Sequence, residues 1–174
     1  MNNISRRSFL KGGAVSAAAA ALSLPAKAAS PEAENKSITT ACSTQSGTVQ
    51  GKADGAHLVW YGIPYGAAPV GEARWSAPLD PVPWTGSLDC TQPAPVAYQF
   101  STCPIGSEDC LRLDVYSVPS AHSRPVLVYL HGGNNQIGDS LELPGGELVE
   151  NDDCVFVSVN YRLGLFGFNC LPAL

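Results

Sequence analysis

Between Ser46 and Tyr161 the chain alternates short apolar runs with glycine and proline turns, and the character of the runs changes along the way. Gly47-Thr48-Val49-Gln50-Gly51 and His57-Leu58-Val59-Trp60-Tyr61-Gly62-Ile63-Pro64-Tyr65 are β-like segments punctuated by glycine, the pattern of short strands. Prolines 69, 78, 81, 83, 93 and 95 make the next stretch an irregular coat, interrupted by Trp75 and Trp84. Three further strands are expected over residues 111–116, 125–131 and 154–161. The last two contain Val126-Leu127-Val128-Tyr129-Leu130 and Val155-Phe156-Val157-Ser158-Val159, which are nearly continuous rather than alternating. Such runs predict strands buried on both faces, as in a parallel sheet covered by helices. Residues 143–151 between them have room for a short helix, which gives a βαβ-like unit and an α/β class.

The first 28 residues follow different rules. Ser5-Arg6-Arg7-Ser8-Phe9-Leu10-Lys11 is a twin-arginine sequence, residues 12–26 carry no charge, and Ala26-Lys27-Ala28 supplies a small-x-small cleavage pattern. A charged start, an apolar middle and a small-residue end predict a twin-arginine export signal over 1–28. The mature chain is then expected to begin near Ala29 and to reside in the periplasm or outside the cell. Fifteen uncharged residues rich in Ala, Ser and Gly are too few to span a bilayer, and no later run is apolar enough, so no membrane association is expected after signal removal. Residues 29–45 read as a solvated leader or linker, and 46–174 as the globular domain.

Composition narrows the partners. Hydrophobic residues make up 45 % of the 174 and charged residues 14 %, with 17 Gly and 14 Pro, as in a loop-rich globular protein. The formal net charge is −5; without the signal, six basic residues face fifteen acidic ones, a net of −9. So few cations offer little to phosphate backbones, and no nucleic acid is expected as a partner. Six cysteines, at 42, 90, 103, 110, 154 and 170, suit an oxidising compartment. None has the spacing of a metal site and the three histidines are scattered, so no metal is expected. Cys42 lacks the preceding leucine of a lipidated cysteine, and Cys154 sits inside an apolar run as a buried thiol would.

The ordered motifs of residues 46–168 resemble the type-B carboxylesterase and lipase family, which includes the cholinesterases. They are Gly47-Thr48-Val49-x-Gly51; Gly62-Ile63-Pro64-Tyr65-Gly66 with Pro69-Val70-Gly71; Arg74-Trp75-x-x-Pro78; Pro83-Trp84-x-Gly86; Ser107-Glu108-Asp109-Cys110-Leu111-x-Leu113-x-Val115; Pro125-Val126 through His131-Gly132-Gly133; and Val159-Asn160-Tyr161-Arg162-Leu163-Gly164-x-x-Gly167-Phe168. The resemblance implies the N-terminal part of an α/β-hydrolase fold, a carboxylic ester as small-molecule substrate, and no cofactor, since a serine triad needs none. It also implies an oxyanion loop at Gly132, Gly133 and Asn134. Backbone N–H groups of Gly133 and Asn134 would stabilise the negative charge that develops on the carbonyl oxygen, with Gly132 shaping the turn. The family usually continues with a third glycine and an aromatic residue, where this chain has Asn134 and Asn135.

By the same resemblance, Arg74 and Glu108 form a salt bridge and Cys110 is a disulfide-forming cysteine. Its usual partner position holds Ala97, which leaves Cys103 and then Cys90 as candidates, with connectivity open. Arg162 would pair with an acid further along than Leu174.

Gly138-Asp139-Ser140-Leu141 spells another hydrolase motif, but its nucleophile needs a later histidine, and His57, His122 and His131 all precede Ser140. Gly-x-Ser-x-Gly, the nucleophile motif of α/β-hydrolases, occurs nowhere in the sequence, so no residue of the chain is assigned as catalytic. The expectation is a segment ending before the nucleophile elbow, inactive alone and completed by a missing C-terminal portion. An open edge is expected on the strand ending at His131. A non-catalytic remnant or a small exported binding protein is the alternative.

Overall fold

In a computed structural model of the chain, residues 40–120 and 122–170 are described, all within the unit Ser37–Leu174. The expected export signal, most of the leader and the last four residues lie outside the described residues. The first strands are β1 (Ala41–Ser43), β2 (Thr48–Gln50), β3 (Lys52–Asp54) and β4 (His57–Pro64). After a 3₁₀ turn at Gly71–Ala73 and a proline-rich coat come β5 (Ser87–Asp89), β6 (Gln99–Phe100) and β7 (Pro104–Ile105). The chain continues through β8 (Arg112–Ser117), β9 (Val126–Leu130), helix α1 (Gly146–Asn151), β10 (Val155–Val159) and the short helix α2 (Gly164–Gly167).

The main sheet has the order β3-β4-β8-β10-β9. Its first three pairings are antiparallel and only β10 with β9 is parallel, so the expected parallel sheet is, among the described residues, a mixed one whose parallel part is the βαβ unit. The register explains two of the core clusters. Val59 and Tyr61 of β4 share a face with Tyr116 of β8 and Phe156 of β10, and that face packs under Val149 of α1. The alternate residues Leu58, Trp60 and Val115 face the opposite way, against Val49 and Leu88 of the small β1-β2-β5 layer and against Trp84 from the proline-rich coat. Phe156 is fully buried, which stabilises the fold by about 1.5–3 kcal/mol.

The strand β9 lies at an open edge, as expected of the strand ending at His131, but its side chains depart from expectation. Its apolar run was expected to be buried on both faces, yet Val126, Leu127, Val128 and Leu130 are 50–66 % exposed. A continuous apolar run shows what a strand requires around it, whereas burial depends on which neighbours are present. Here β9 is the outer edge of the sheet, and among the described residues no strand pairs with its free side.

The three disulfide candidates, Cys90, Cys103 and Cys110, stand as thiols in the structure. All six cysteines are free. Cys90 packs with Val49 and Trp60, Cys110 packs with Ala97 and Leu163, and Cys103 is exposed in the β6–β7 turn. The three candidates therefore have different surroundings, two in separate buried clusters and one at the surface. Burial pushes the Cys90 and Cys110 thiols up to about 11.

Candidate functional site

The segment between β9 and α1 starts at the C-terminal end of the parallel pair, the end at which open α/β sheets hold ligands. Gly133, Asn134 and Asn135 have φ of 96°, 55° and 60°, and Gln136 N–H donates to Gly133 O at 3.0 Å. Positive φ at both central residues is the requirement of a type I′ turn. Asparagine is the non-glycine residue that best tolerates this region, so the departure from the family's third glycine leaves the turn intact. Gly133 has no such latitude: a Cβ there would lie 1.8 Å from the carbonyl oxygen of Ile137.

The turn leaves donors unused. Residues 132–137 are exposed, and the N–H groups of Gly132, Gly133 and Asn134 donate to no acceptor among the described residues. The limbs of the loop, in contrast, are tied down at every few residues. Tyr161 Oη donates to His131 O at 2.5 Å, and the two rings stack with centroids 4.3 Å apart. Gly164 N–H donates to Asn135 O at 2.7 Å. Gln99 brackets Gly138, accepting from its N–H at 2.9 Å and donating to its O at 3.0 Å.

The loop then ends in a buried polar knot centred on Ser140. Its Oγ donates to Asp114 Oδ2 at 2.6 Å and accepts from Asn160 Nδ2 at 2.9 Å. Its N–H donates to Asn160 Oδ1 at 3.0 Å, and its carbonyl accepts from Ser158 Oγ at 2.7 Å. Asp114 Oδ1 accepts from Gly62 N–H at 2.7 Å. The strand register explains the location: Asp114 lies opposite Ser158, two residues along from the Tyr116–Phe156 pair and on the same face. Burial raises the Asp114 carboxyl above the usual carboxylate range, against the opposing effect of the Ser140 and Gly62 hydrogen bonds.

This geometry also accounts for Ser140 as a structural residue. Its hydroxyl is 2 % exposed and bonded to a carboxylate and an amide, with no histidine. The histidines are occupied elsewhere: His57 with Glu150 at 2.7 Å, His122 with Asp153 at 2.9 Å, His131 under Tyr161. Among the described residues no cluster of His, Cys, Asp and Glu is suited to a metal ion, and no helix is long and apolar enough to cross a membrane.

A cleft of about 640 Å³ opens beside the turn, lined by Gln99, Asn134 and Asn135 together with Tyr98, Phe100 and Phe168. Arg74 lies near it. Its guanidinium pairs with Glu108 through two bonds, Nε–Oε2 at 2.5 Å and Nη2–Oε1 at 2.8 Å, and faces the Phe166 ring at 5.7 Å. Arg162 has no carboxylate partner among the described residues but donates to the carbonyls of Arg74 and Ser76, at 3.2 and 2.9 Å. Sequence reasoning missed Gln99, Asp114 and Ser158. The last two had a legible signal, since each places a polar side chain on the inward face of an otherwise apolar strand.

A parallel pair joined through a helix, with a glycine turn at its carboxyl end, is a ligand-holding corner of an α/β fold, and the solved structures that resemble the chain identify it as part of an α/β-hydrolase fold. The structure of a PNB esterase matches with a TM-score of 0.74 and 37 % identity over 78 % of this chain and 30 % of that one. The Geobacillus stearothermophilus carboxylesterase matches at 0.69 and 38 %, over 74 % and 28 %. The chain belongs to the carboxylesterase family, whose model matches residues 35–172. Among curated relatives, mouse carboxylesterase 3B is 41 % identical over 128 residues, covering 63 % of this chain and 22 % of that protein. The Bacillus subtilis para-nitrobenzyl esterase is 37 % identical, covering 72 % and 28 %. The chain thus spans roughly a quarter of the length of these relatives. Residues 3–23 match the twin-arginine translocation signal, so the protein is exported, to the periplasm or beyond.

Proposed function

We propose that the chain supplies the oxyanion-binding part of an exported carboxylic-ester hydrolase that works through a serine-triad acyl-enzyme. The observation that carries this reading is the set of unused N–H groups on Gly132, Gly133 and Asn134, in an exposed turn whose limbs are fixed. Fixed donors stabilise an oxyanion without reorganising as charge develops, which makes them worth about 10²–10³ in kcat per donor. Gly133 and Asn134 are the donors, and Gly132 shapes the approach. With no Gly-x-Ser-x-Gly in the sequence, the nucleophile, acid and base come from residues outside these 174. Residues 1–28 are the removed signal, 29–45 a linker and 46–174 the esterase portion. The aromatic lining of the adjacent cleft suits a small ester with an apolar group.

The test is titration of the ¹⁵N-labelled chain with methylphosphonate, a small tetrahedral oxyanion. The largest amide shifts are expected at Gly133 and Asn134. Shifts that bypass both residues count against the reading.

A further inference from the structure

The loop that presents the free N–H groups is held by side chains from distant parts of the chain, and one of them, Gln99, also lines the cleft beside the turn. Gln99 reaches from β6, 39 residues before Gly138. It is 7 % exposed, and its amide is fully used: Oε1 accepts from Gly138 N–H, while Nε2 donates to Gly138 O and, at 3.1 Å, to Ala97 O. The side chain therefore pairs with Gly138 as a neighbouring strand would.

Gly138 cannot move away from this grip. It has φ 119°, and a Cβ on it would sit 2.4 Å from His131 Nδ1, so its backbone is wedged between the imidazole and the Gln99 amide. Gly164 fixes the turn at Asn135 and the Ser140 knot fixes the far end. Between those two anchors, Gln99 is the only side chain bonded to the backbone among the described residues.

We propose that Gln99 is a positioning residue for the oxyanion turn: by bracketing Gly138 through both ends of its amide, it sets where the N–H groups of Gly132, Gly133 and Asn134 point. This rests on the oxyanion reading of those three residues. It assigns Gln99 no contact with the reacting atoms.

Hydrogen exchange on the full chain tests it, with Gln99→Ala, Gln99→Glu and a Val49→Ala control in the opposite core. Gln99→Ala removes two hydrogen bonds to Gly138, so amides 136–138 are expected to exchange about tenfold faster. Amides of β8 and β10 should keep their protection. Ionised Gln99→Glu can still accept from Gly138 N–H but cannot donate to Gly138 O, so it should loosen the same three amides. Protonation restores a donor, so its protection factors should recover as the pH falls through the carboxyl's pKa. A merely structural glutamine would instead resemble Val49→Ala, with protection lost evenly over sheet and loop.

Unchanged exchange at 136–138 in Gln99→Ala, or an even loss, or no recovery of Gln99→Glu in acid, would each overturn the proposal. Exchange reads the clamp and the methylphosphonate titration reads the donors. Normal exchange behaviour with a silent titration therefore removes the oxyanion role, and with it the purpose assigned to Gln99.

Discussion

Replacing Ser140 by alanine removes one oxygen from a fully enclosed polar cluster. The hydroxyl satisfies Asp114 Oδ2 and Asn160 Nδ2 at once, both of them buried. A buried group left without its partner costs about 1–3 kcal/mol, so two orphans amount to roughly 2–6 kcal/mol. A small domain is stable by about 5–15 kcal/mol, so the variant would lose a large share of its margin. Ser158→Ala removes a single bond, to Ser140 O, and should cost about 1 kcal/mol. The assay is urea unfolding followed by tryptophan fluorescence, read as a shift in midpoint at unchanged m.

The pH dependence sharpens that test. Burial already raises the Asp114 carboxyl, and the Ser140 hydroxyl is a group that lowers it. A carboxyl raised on folding contributes stability that is complete below its unfolded value, near 3.8, and is lost as pH rises through the folded value. Deleting the hydroxyl raises the folded value further. The Ser140→Ala penalty should therefore be larger at pH 7 than at pH 4. A loss under about 1 kcal/mol, or a penalty larger in acid, would refute the reasoning that the knot is a fully used network around a buried carboxylate.

Three other outcomes follow from the same structure. In the reduced chain, Cys42, Cys103 and Cys170 should react promptly with Ellman's reagent, whereas the buried Cys90, Cys110 and Cys154 should wait for unfolding; prompt reaction of Cys90 or Cys110 contradicts the packing. Asn135→Gly should leave thermal stability equal or better, while Asn135→Val should lose about 1–2 kcal/mol by placing a branched side chain at positive φ. On the open edge of β9, Leu127→Lys should suppress aggregation measured by light scattering while changing stability by less than about 0.5 kcal/mol, since the residue is half exposed.

The sequence made the parallel pair legible because two apolar runs separated by a helix-length segment have few other arrangements. It also marked the glycine turn, since Gly132-Gly133 after an apolar run has few purposes other than close backbone approach. Burial of β9 was not legible, because the same run appears whether or not a neighbouring strand is present. Cysteine pairing was equally hidden, as spacing carries no information on which side of the sheet each thiol faces. Gln99 lay in a proline-rich stretch without periodicity, between Tyr98 and Phe100, where nothing local indicates that its amide turns inward to Gly138. Asp114 and Ser158 were readable in principle once their strands were paired, and only the register placed them face to face.

The central claim is that residues 132–134 are built to stabilise an oxyanion. Its most direct test is to graft residues 46–168 in place of the matching segment of the Bacillus subtilis para-nitrobenzyl esterase and to measure kcat on p-nitrophenyl acetate. A working oxyanion turn should keep kcat within about a hundredfold of the parent, since losing one donor alone costs 10²–10³. A graft that folds with the parent's cooperativity and binds the ester, but turns over more slowly than that bound, would contradict the account.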